Sequence, residues 1–223
     1  MEIVEVKDKK DARMFLRVPH LLYRNDPAWI PSLNQDIERI FDPAFNQHFR
    51  GGEAKRWILA DGDKAVGRIA AFYNENGFSE GKIGGAGFFE CFNNKEAAAM
   101  LFKTAEDWLL SKGVKGYDAP INFGERDKFW GLLISGFDRP AYQDNYNPPY
   151  YQEFFEDAGF HKLIEQHTYR IKFKDFNYDR ISRIAERTIK NPDVSFVPFN
   201  RKQTDRFAAD FVKIYNEAWQ SRP

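Results

Sequence analysis

Residues 56–74, RWILADGDKAVGRIAAFYN, carry two apolar runs on either side of Asp61-Gly62-Asp63-Lys64. A glycine between two aspartates is the chemistry of a tight turn, and the flanking runs are rich in strand-forming residues, so the stretch predicts an antiparallel hairpin. KIGGAGFFECFN, residues 82–93, supplies a third apolar run and extends the hairpin to a meander. Its Gly84, Gly85 and Gly87 precede a strand rather than a helix, so they do not form a dinucleotide-binding loop, which places its glycines at a helix start. They mark a bulge or a close approach of backbone. A three-stranded meander needs a covered face, and the rest of the chain must provide helices to cover it.

The helical patterns are present. MEIVEV reads as a short strand, and KKDARMFLRVPHLLYRND as a helix with Met14, Phe15, Val18, Leu21 and Leu22 on one side, bent or broken at Pro19. Leu33, Ile37, Ile40 and Phe41 recur at helical spacing before Pro43. Over about 95–112, Ala97, Leu101, Ala105 and Leu109 form an apolar stripe with Trp108 beside it, and Gly113 is placed as the left-handed stop. GYDAPINF is a further strand. Residues 124–149 form a long ordered loop with room for one helical turn; Glu125, Arg126, Asp127, Trp130, Asp138, Arg139 and Tyr142 suit either an acceptor-binding lid or a structural insertion. YYQEFFEDAGF fits a helix stopped at Gly159, and HKLIEQHTYRIKF alternates Tyr169, Ile171 and Phe173 with polar residues as a half-buried strand.

A first domain over 1–175 follows, then a connecting helix within 176–193 with Ile181, Ile184 and Ile189 inward. Residues 194–223, VSFVPF and then TDRFAADFVKIYNEAW, repeat the strand-then-helix opening of the chain as the start of a second, truncated domain. Phe207, Phe211, Ile214 and Tyr215 on that last helix need a partner surface, on the first domain or on another copy, which makes a homodimer through the C-terminal helix an expectation.

Composition removes several functions. The 33 basic and 33 acidic side chains cancel, so no global field draws the protein to nucleic acid or to an anionic membrane. No apolar run approaches the roughly 20 residues that span a bilayer. The N-terminus lacks the basic-then-apolar layout of a signal peptide, and a cytoplasmic location is expected. Cys91, the one cysteine, excludes an intrachain disulfide; flanked by phenylalanines, it is expected to be an inert core thiol. His20, His48, His161 and His167 show no metal-ligand spacing, and no metal is expected. The 22 phenylalanines, ten tyrosines and five tryptophans supply either large core side chains or a groove lined for an apolar ligand, with the core as the expected place because aromatic rings dominate core burial.

The order strand, helix, helix, meander, long helix, strand, helix, strand resembles the GNAT acyl-CoA N-acyltransferases over roughly residues 1–173. GRIAAF, GFFE, APINF, GLLISGFD and YNPPYY...AGF are similar to a bacterial branch of GNAT-related proteins. The resemblance implies an α/β (α+β) fold with a mixed, mostly antiparallel central sheet flanked by helices. It implies acetyl-CoA or another acyl-CoA as co-substrate and a small-molecule amine or other acceptor, acylated by direct attack.

It also implies a site. In the family the meander's last strand splays and runs into the long helix, whose first amides hold pyrophosphate in a loop patterned Arg/Gln-x-x-Gly-x-Gly/Ala; free amides and the positive helix end attract phosphate. That loop falls on Asn93-Asn94-Lys95-Glu96-Ala97-Ala98, where only Ala98 fits the pattern, Asn93 standing for Arg/Gln and Glu96 for the first glycine. Backbone around Phe89, Cys91 and Phe92 would position the pantetheine. Asn93 with Glu96 three residues on also reads as a capping box, which would close the helix end without a ligand. A phosphate charge about 5 Å from Glu96 would be repelled by roughly 3 kcal/mol at an effective dielectric near 20, with Lys95 as the compensating cation.

Glu90 stands where members of the family keep a carboxylate as base, and alternation puts it on one face with Phe88, opposite Phe89 and Cys91. NPPYYQEFFEDAGF resembles the family's Asn-x-x-Ala-x-x-x-Tyr-x-x-x-Gly-Phe segment, which assigns Asn147 to the cofactor site. The family's proton-donating tyrosine falls on Phe155, leaving Tyr150 or Tyr151, one turn earlier, as substitutes; Tyr151 is taken as the acid. With its loop pattern altered, the chain could alternatively be a non-catalytic GNAT-like domain that binds a protein partner.

Overall fold

The computed structural model of the 223-residue chain describes residues 1–75, 83–124 and 126–219. Lys82 of the third predicted strand and Glu125 of the lid loop lie outside them. The chain divides into two compact units, Met1–Gln166 and His167–Pro223.

In the first unit, strands β1 (Glu2–Glu5), β2 (Gly52–Asp61), β3 (Lys64–Asn74), β4 (Ile83–Cys91) and β5 (Tyr117–Asp118) form one sheet in sequential order. β1 to β4 pair antiparallel, and β5 adds parallel to β4 through Gly84↔Tyr117 and Gly85↔Asp118. The predicted hairpin is β2–β3, turned at Gly62 with φ +59°. The glycines of β4 do mark a close approach: a Cβ on Gly87 would sit 1.6 Å from the Ile121 carbonyl oxygen. Between Arg68 and Ala70 the β3–β4 register slips, so that Phe88 and Phe89 both stand opposite Ile69. Phe88 takes φ +50° to make this bulge.

Helices cover both faces. α1 (Lys9–Leu22) is capped by Asp8, whose carboxylate accepts from the Lys10 and Asp11 amides at 2.7 and 2.9 Å. Its Phe15 and Val18 pack on Ile58, Ala65 and Ala70, while α2 (Asn34–Ile40) adds Ile37 against Leu16 and Phe129. On the other face, α3 (Lys95–Ser111) lays Ala97, Ala98, Leu101, Phe102, Ala105 and Leu109 over Trp57, Leu59, Ile69 and Cys91. α4 (Tyr151–Asp157) joins this layer through Tyr151, Phe154 and Phe155. Residues at 57 and 59 go to one side and 58 to the other, the period-two alternation of a sheet covered twice.

Several expectations are corrected. α1 runs unbroken through Pro19, because the carbonyl that a residue-19 amide would bond, that of Phe15, takes its hydrogen from Arg68 instead. The N-cap of α3 is Asn94 rather than Asn93: its side chain accepts from the Ala97 amide at 2.9 Å, which leaves Glu96 at the second helical position and dissolves the capping box. Residues 161–172 and 194–199 form no strand, and Tyr169, Ile171 and Phe173 are exposed. An alternating sequence supplies one face but not the neighbour whose amides and carbonyls must pair with it, and among the described residues none does. The 124–149 loop makes no helical turn among its described residues; Asn145 and Asn147 hold it through the backbone of Gly131 and Leu133.

The second unit carries α5 (Tyr178–Ile189), capped by Asn177, and α6 (Thr204–Trp219). Ile181, Ile184 and Ile189, expected inward, are exposed, and among the described residues of this unit none is buried.

Candidate active site

The β3–β4 register places Arg68 directly opposite Glu90 on the face that α1 covers. Both side chains are buried, and Arg68 Nη2 lies 3.4 Å from Glu90 Oε1. The other carboxylate oxygen, Oε2, accepts from the Tyr23 hydroxyl at 2.6 Å and from the Tyr151 hydroxyl at 3.0 Å. Tyr23 closes α1 and Tyr151 opens α4, so three elements converge on one carboxylate held by the sheet.

Burial sets the electrostatics. Desolvation raises the Glu90 carboxyl above its ordinary range, opposed by the Arg68 charge and by the two phenol hydrogen bonds. The same burial lowers Arg68 and, with Glu90 alongside, pushes Tyr23 and Tyr151 well above the usual phenol value. Both tyrosines are therefore neutral donors at physiological pH. The Cys91 thiol is driven up to about 12, first by burial and then by Glu90, which leaves it protonated and unreactive, as its apolar setting implies.

A cavity opens beside this cluster, between α1, the segment before α2, the β4 bulge and the 120–147 loop. Glu90, Arg68 and Tyr151 line it together with Trp29, Phe88 and Phe129. Aromatic walls with a few convergent polar groups are the usual make-up of a small-molecule site.

The other predicted residues are placed differently. Phe89 lies in the α3 layer, stacked on Phe102 with centroids 4.5 Å apart. The Cys91 amide donates to the Tyr151 hydroxyl at 2.7 Å, and the Cys91 carbonyl accepts from Tyr150 at 3.0 Å. The Phe92 amide donates to the Val66 carbonyl at 3.2 Å. The backbone assigned to pantetheine thus already has partners, two of them phenols at the entry to α4. Asn93 and Glu96 are exposed, Asn94 caps α3, and Ala97 and Ala98 are buried in the core. Lys95 is exposed and pairs with Glu153 at 2.5 Å and Asp157 at 2.9 Å. The Asn147 amide group is spent on backbone, accepting from the Leu133 amide at 2.8 Å and donating to the Leu133 and Pro148 carbonyls at 3.0 Å. The two predicted catalytic residues, Glu90 and Tyr151, are in contact with each other.

Arg68 and Tyr23 were not singled out from sequence. Arg68 did leave a trace: an arginine at an inward position of an otherwise apolar strand demands a buried counter-charge. Tyr23 left none, since its approach to Glu90 depends on where the end of α1 lands on the sheet.

Among the described residues, no group of three His, Cys, Asp or Glu is placed to hold a metal ion, and no helix is long and apolar enough to cross a membrane.

No protein-family model matches the chain. It is 27% identical to a bacterial ceramide synthase from Caulobacter vibrioides over 98% of this chain and 58% of that protein. It is 28% identical to Protein YghO from Escherichia coli over 96% of this chain and 55% of that one. The chain spans a little over half the length of these curated relatives. Among solved structures, a predicted acetyltransferase from Clostridium acetobutylicum with acetyl-CoA matches 79% of this chain and 99% of its own, with 12% identity and a TM-score of 0.46. An aminoglycoside 6'-N-acetyltransferase from Acinetobacter haemolyticus matches 78% and 99%, with 13% identity and a TM-score of 0.45. With a strand and two helices leading into an antiparallel meander, whose last strand feeds the long helix and then pairs parallel with β5, the first unit has a GNAT-related fold.

Proposed function

We propose that residues 1–166 form an acyltransferase that moves an acyl group from acyl-CoA to an amine. The observation that carries this reading is the 3.0 Å contact between Glu90 and Tyr151 in the wall of an aromatic-lined cavity. As the amine nitrogen attacks the thioester carbon, the C–N bond forms and the nitrogen's proton passes to the Glu90 carboxylate. The C–S bond then breaks, and the thiolate takes that proton back through the Tyr151 hydroxyl, so the phenol never ionises. A carboxyl raised by burial is suited to hold a proton between the two steps.

The name of the Caulobacter relative supports an amine acceptor, since a ceramide is the amide of a long-chain amino alcohol. Trp29, Phe88 and Phe129 would suit an acceptor with an apolar tail. The acyl-CoA would lie along the end of β4, where its pantetheine must displace Tyr151 from the Cys91 amide.

That occupied amide favours a second reading, a non-catalytic GNAT-related domain that binds another protein. Calorimetry with acetyl-CoA and longer acyl-CoAs separates the two. A ligand present at a hundred times its Kd stabilises by about 2.7 kcal/mol, so a rise in unfolding temperature at millimolar acyl-CoA, with amide product detected by mass spectrometry and lost in Glu90→Gln, is expected. No heat and no thermal shift with any acyl-CoA would overturn the acyltransferase reading.

A further inference from the structure

We propose that Pro19 and Arg68 are positioning residues for Glu90: the proline withholds a helical amide, and the arginine takes the carbonyl so released and is thereby held against the carboxylate. The proposal rests on Glu90 being the proton-accepting group.

In a helix the amide of residue 19 bonds the carbonyl of residue 15. Pro19 has no amide hydrogen, yet it lies inside α1 and is buried. Proline in a helix interior disfavours the helix by about two orders of magnitude relative to alanine, so its presence there calls for a compensating role. The orphaned Phe15 carbonyl receives Arg68 Nη1 at 3.0 Å. The guanidinium also lies over the Phe15 ring, 4.7 Å from its centroid. One residue of α1 therefore fixes the arginine from two sides, and Nη2 is left toward Glu90 Oε1. Four residues on, Tyr23 donates its amide to the Pro19 carbonyl at 2.8 Å and its hydroxyl to Glu90 Oε2. α1 thus reaches both oxygens of the carboxylate.

The other titratable groups around Glu90 do not substitute for the arginine. Cys91 on the same strand, Tyr150 just before α4 and Tyr151 at its start are all shifted upward by burial and remain neutral. His20 on α1 is lowered, first by burial and then by Arg68, and is neutral as well. Asp144 in the cavity wall carries the wrong sign, and Tyr146 beside it is pushed up to about 12. Arg68 is the cation in this set.

Two measurements on the full chain test the proposal without substrate. Carbon-13 NMR of the glutamate carboxyls, with Glu90 assigned by its loss in Glu90→Gln, should show the Glu90 midpoint moving up by at least one pH unit, a tenfold change, in Arg68→Met. Arg68→Lys, which keeps the charge but cannot bridge Phe15 and Glu90, should give a smaller upward shift. In parallel, Pro19→Ala restores an amide to the Phe15 carbonyl. It should raise the unfolding temperature by several degrees more in the Arg68→Met background, where that carbonyl has no donor, than in the wild type. If Arg68→Met does not fold, Arg68→Lys carries both comparisons. A Glu90 midpoint unmoved by the arginine variants, or equal gains from Pro19→Ala in both backgrounds, overturns the proposal. A failure of acyltransfer alone would leave both results standing and would count against the assigned reaction instead.

Discussion

Tyr151→Phe removes a single oxygen from the centre of the site, and the structure specifies what that oxygen holds. It donates to Glu90 Oε2 at 3.0 Å and accepts from the Cys91 amide at 2.7 Å. The ring itself, fully buried against Phe89 and Phe154, has the same shape in phenylalanine, so packing is preserved. Two polar groups are left short. A buried backbone amide without an acceptor costs about 1–3 kcal/mol, and a hydrogen bond to a charged group contributes about 1.5–3 kcal/mol. Tyr23 still serves Glu90, so the two costs overlap, and a net destabilisation of about 2–4 kcal/mol is expected. Urea unfolding followed by tryptophan fluorescence reads it, because four of the five indoles, Trp29, Trp57, Trp108 and Trp130, lie in the first unit. The variant also exposes the occupancy problem at β4: with the phenol gone, the Cys91 amide is available, and binding of acetyl-CoA measured by calorimetry should tighten even as turnover falls. Stability within about 0.5 kcal/mol of the wild type, the range of an inconsequential substitution, would refute this account of the tyrosine.

Asn94→Ala should cost about 1 kcal/mol as the loss of an N-cap, while Asn93→Ala should fall within about 0.5 kcal/mol; thermal unfolding of the two side by side locates the cap. Gly87→Ala drives a Cβ against the Ile121 carbonyl and should destabilise by about 3 kcal/mol or more, read as loss of soluble folded protein or of near-ultraviolet dichroism. The Glu90 carboxyl is raised in the folded state from an ordinary value of 4.5, so the folded state binds the proton more tightly there. Its contribution to stability is complete below about 4.5 and is lost as pH rises through the raised value. Urea unfolding over a pH series should therefore show wild type losing stability relative to Glu90→Gln across that window; a constant difference would contradict the raised carboxyl.

Local features were legible because their causes are local. The β2–β3 hairpin follows from its Gly62 turn, α3 from its apolar stripe with Gly113 at φ +78° beyond it, and the end of α4 from Gly159 at φ +86°. The cap of α3 was misplaced by one residue because two asparagines in succession offer the same chemistry, and only backbone geometry chooses between them. Residues 161–172 were misread because alternation describes a side-chain pattern, whereas a strand is a hydrogen-bonding relation between two segments. At the site, Glu90 and Tyr151 came from a resemblance. Arg68, Tyr23 and the role of Pro19 depend on contacts between positions 22 to 67 residues apart, which no short-range pattern records.

The bulge at Phe88 acts on the meander as an inserted letter acts on a reading frame. Gly87 pairs with Ala70 and Glu90 with Arg68, so two residues of β4, Phe88 and Phe89, stand against one of β3, and Glu90 keeps its place on the α1 side. In a regular ladder Glu90 would instead face Gly67, whose missing Cβ points at Leu101 in the α3 layer, and a carboxylate would be driven into hydrocarbon. Deleting Phe88 would straighten the strand yet leave Glu90 opposite Arg68, whereas deleting Ile69 from β3 would reopen the mismatch. The two strands therefore differ in which single-residue deletions they can absorb: β4 can lose a residue at the bulge and keep its carboxylate opposite Arg68, and β3 cannot.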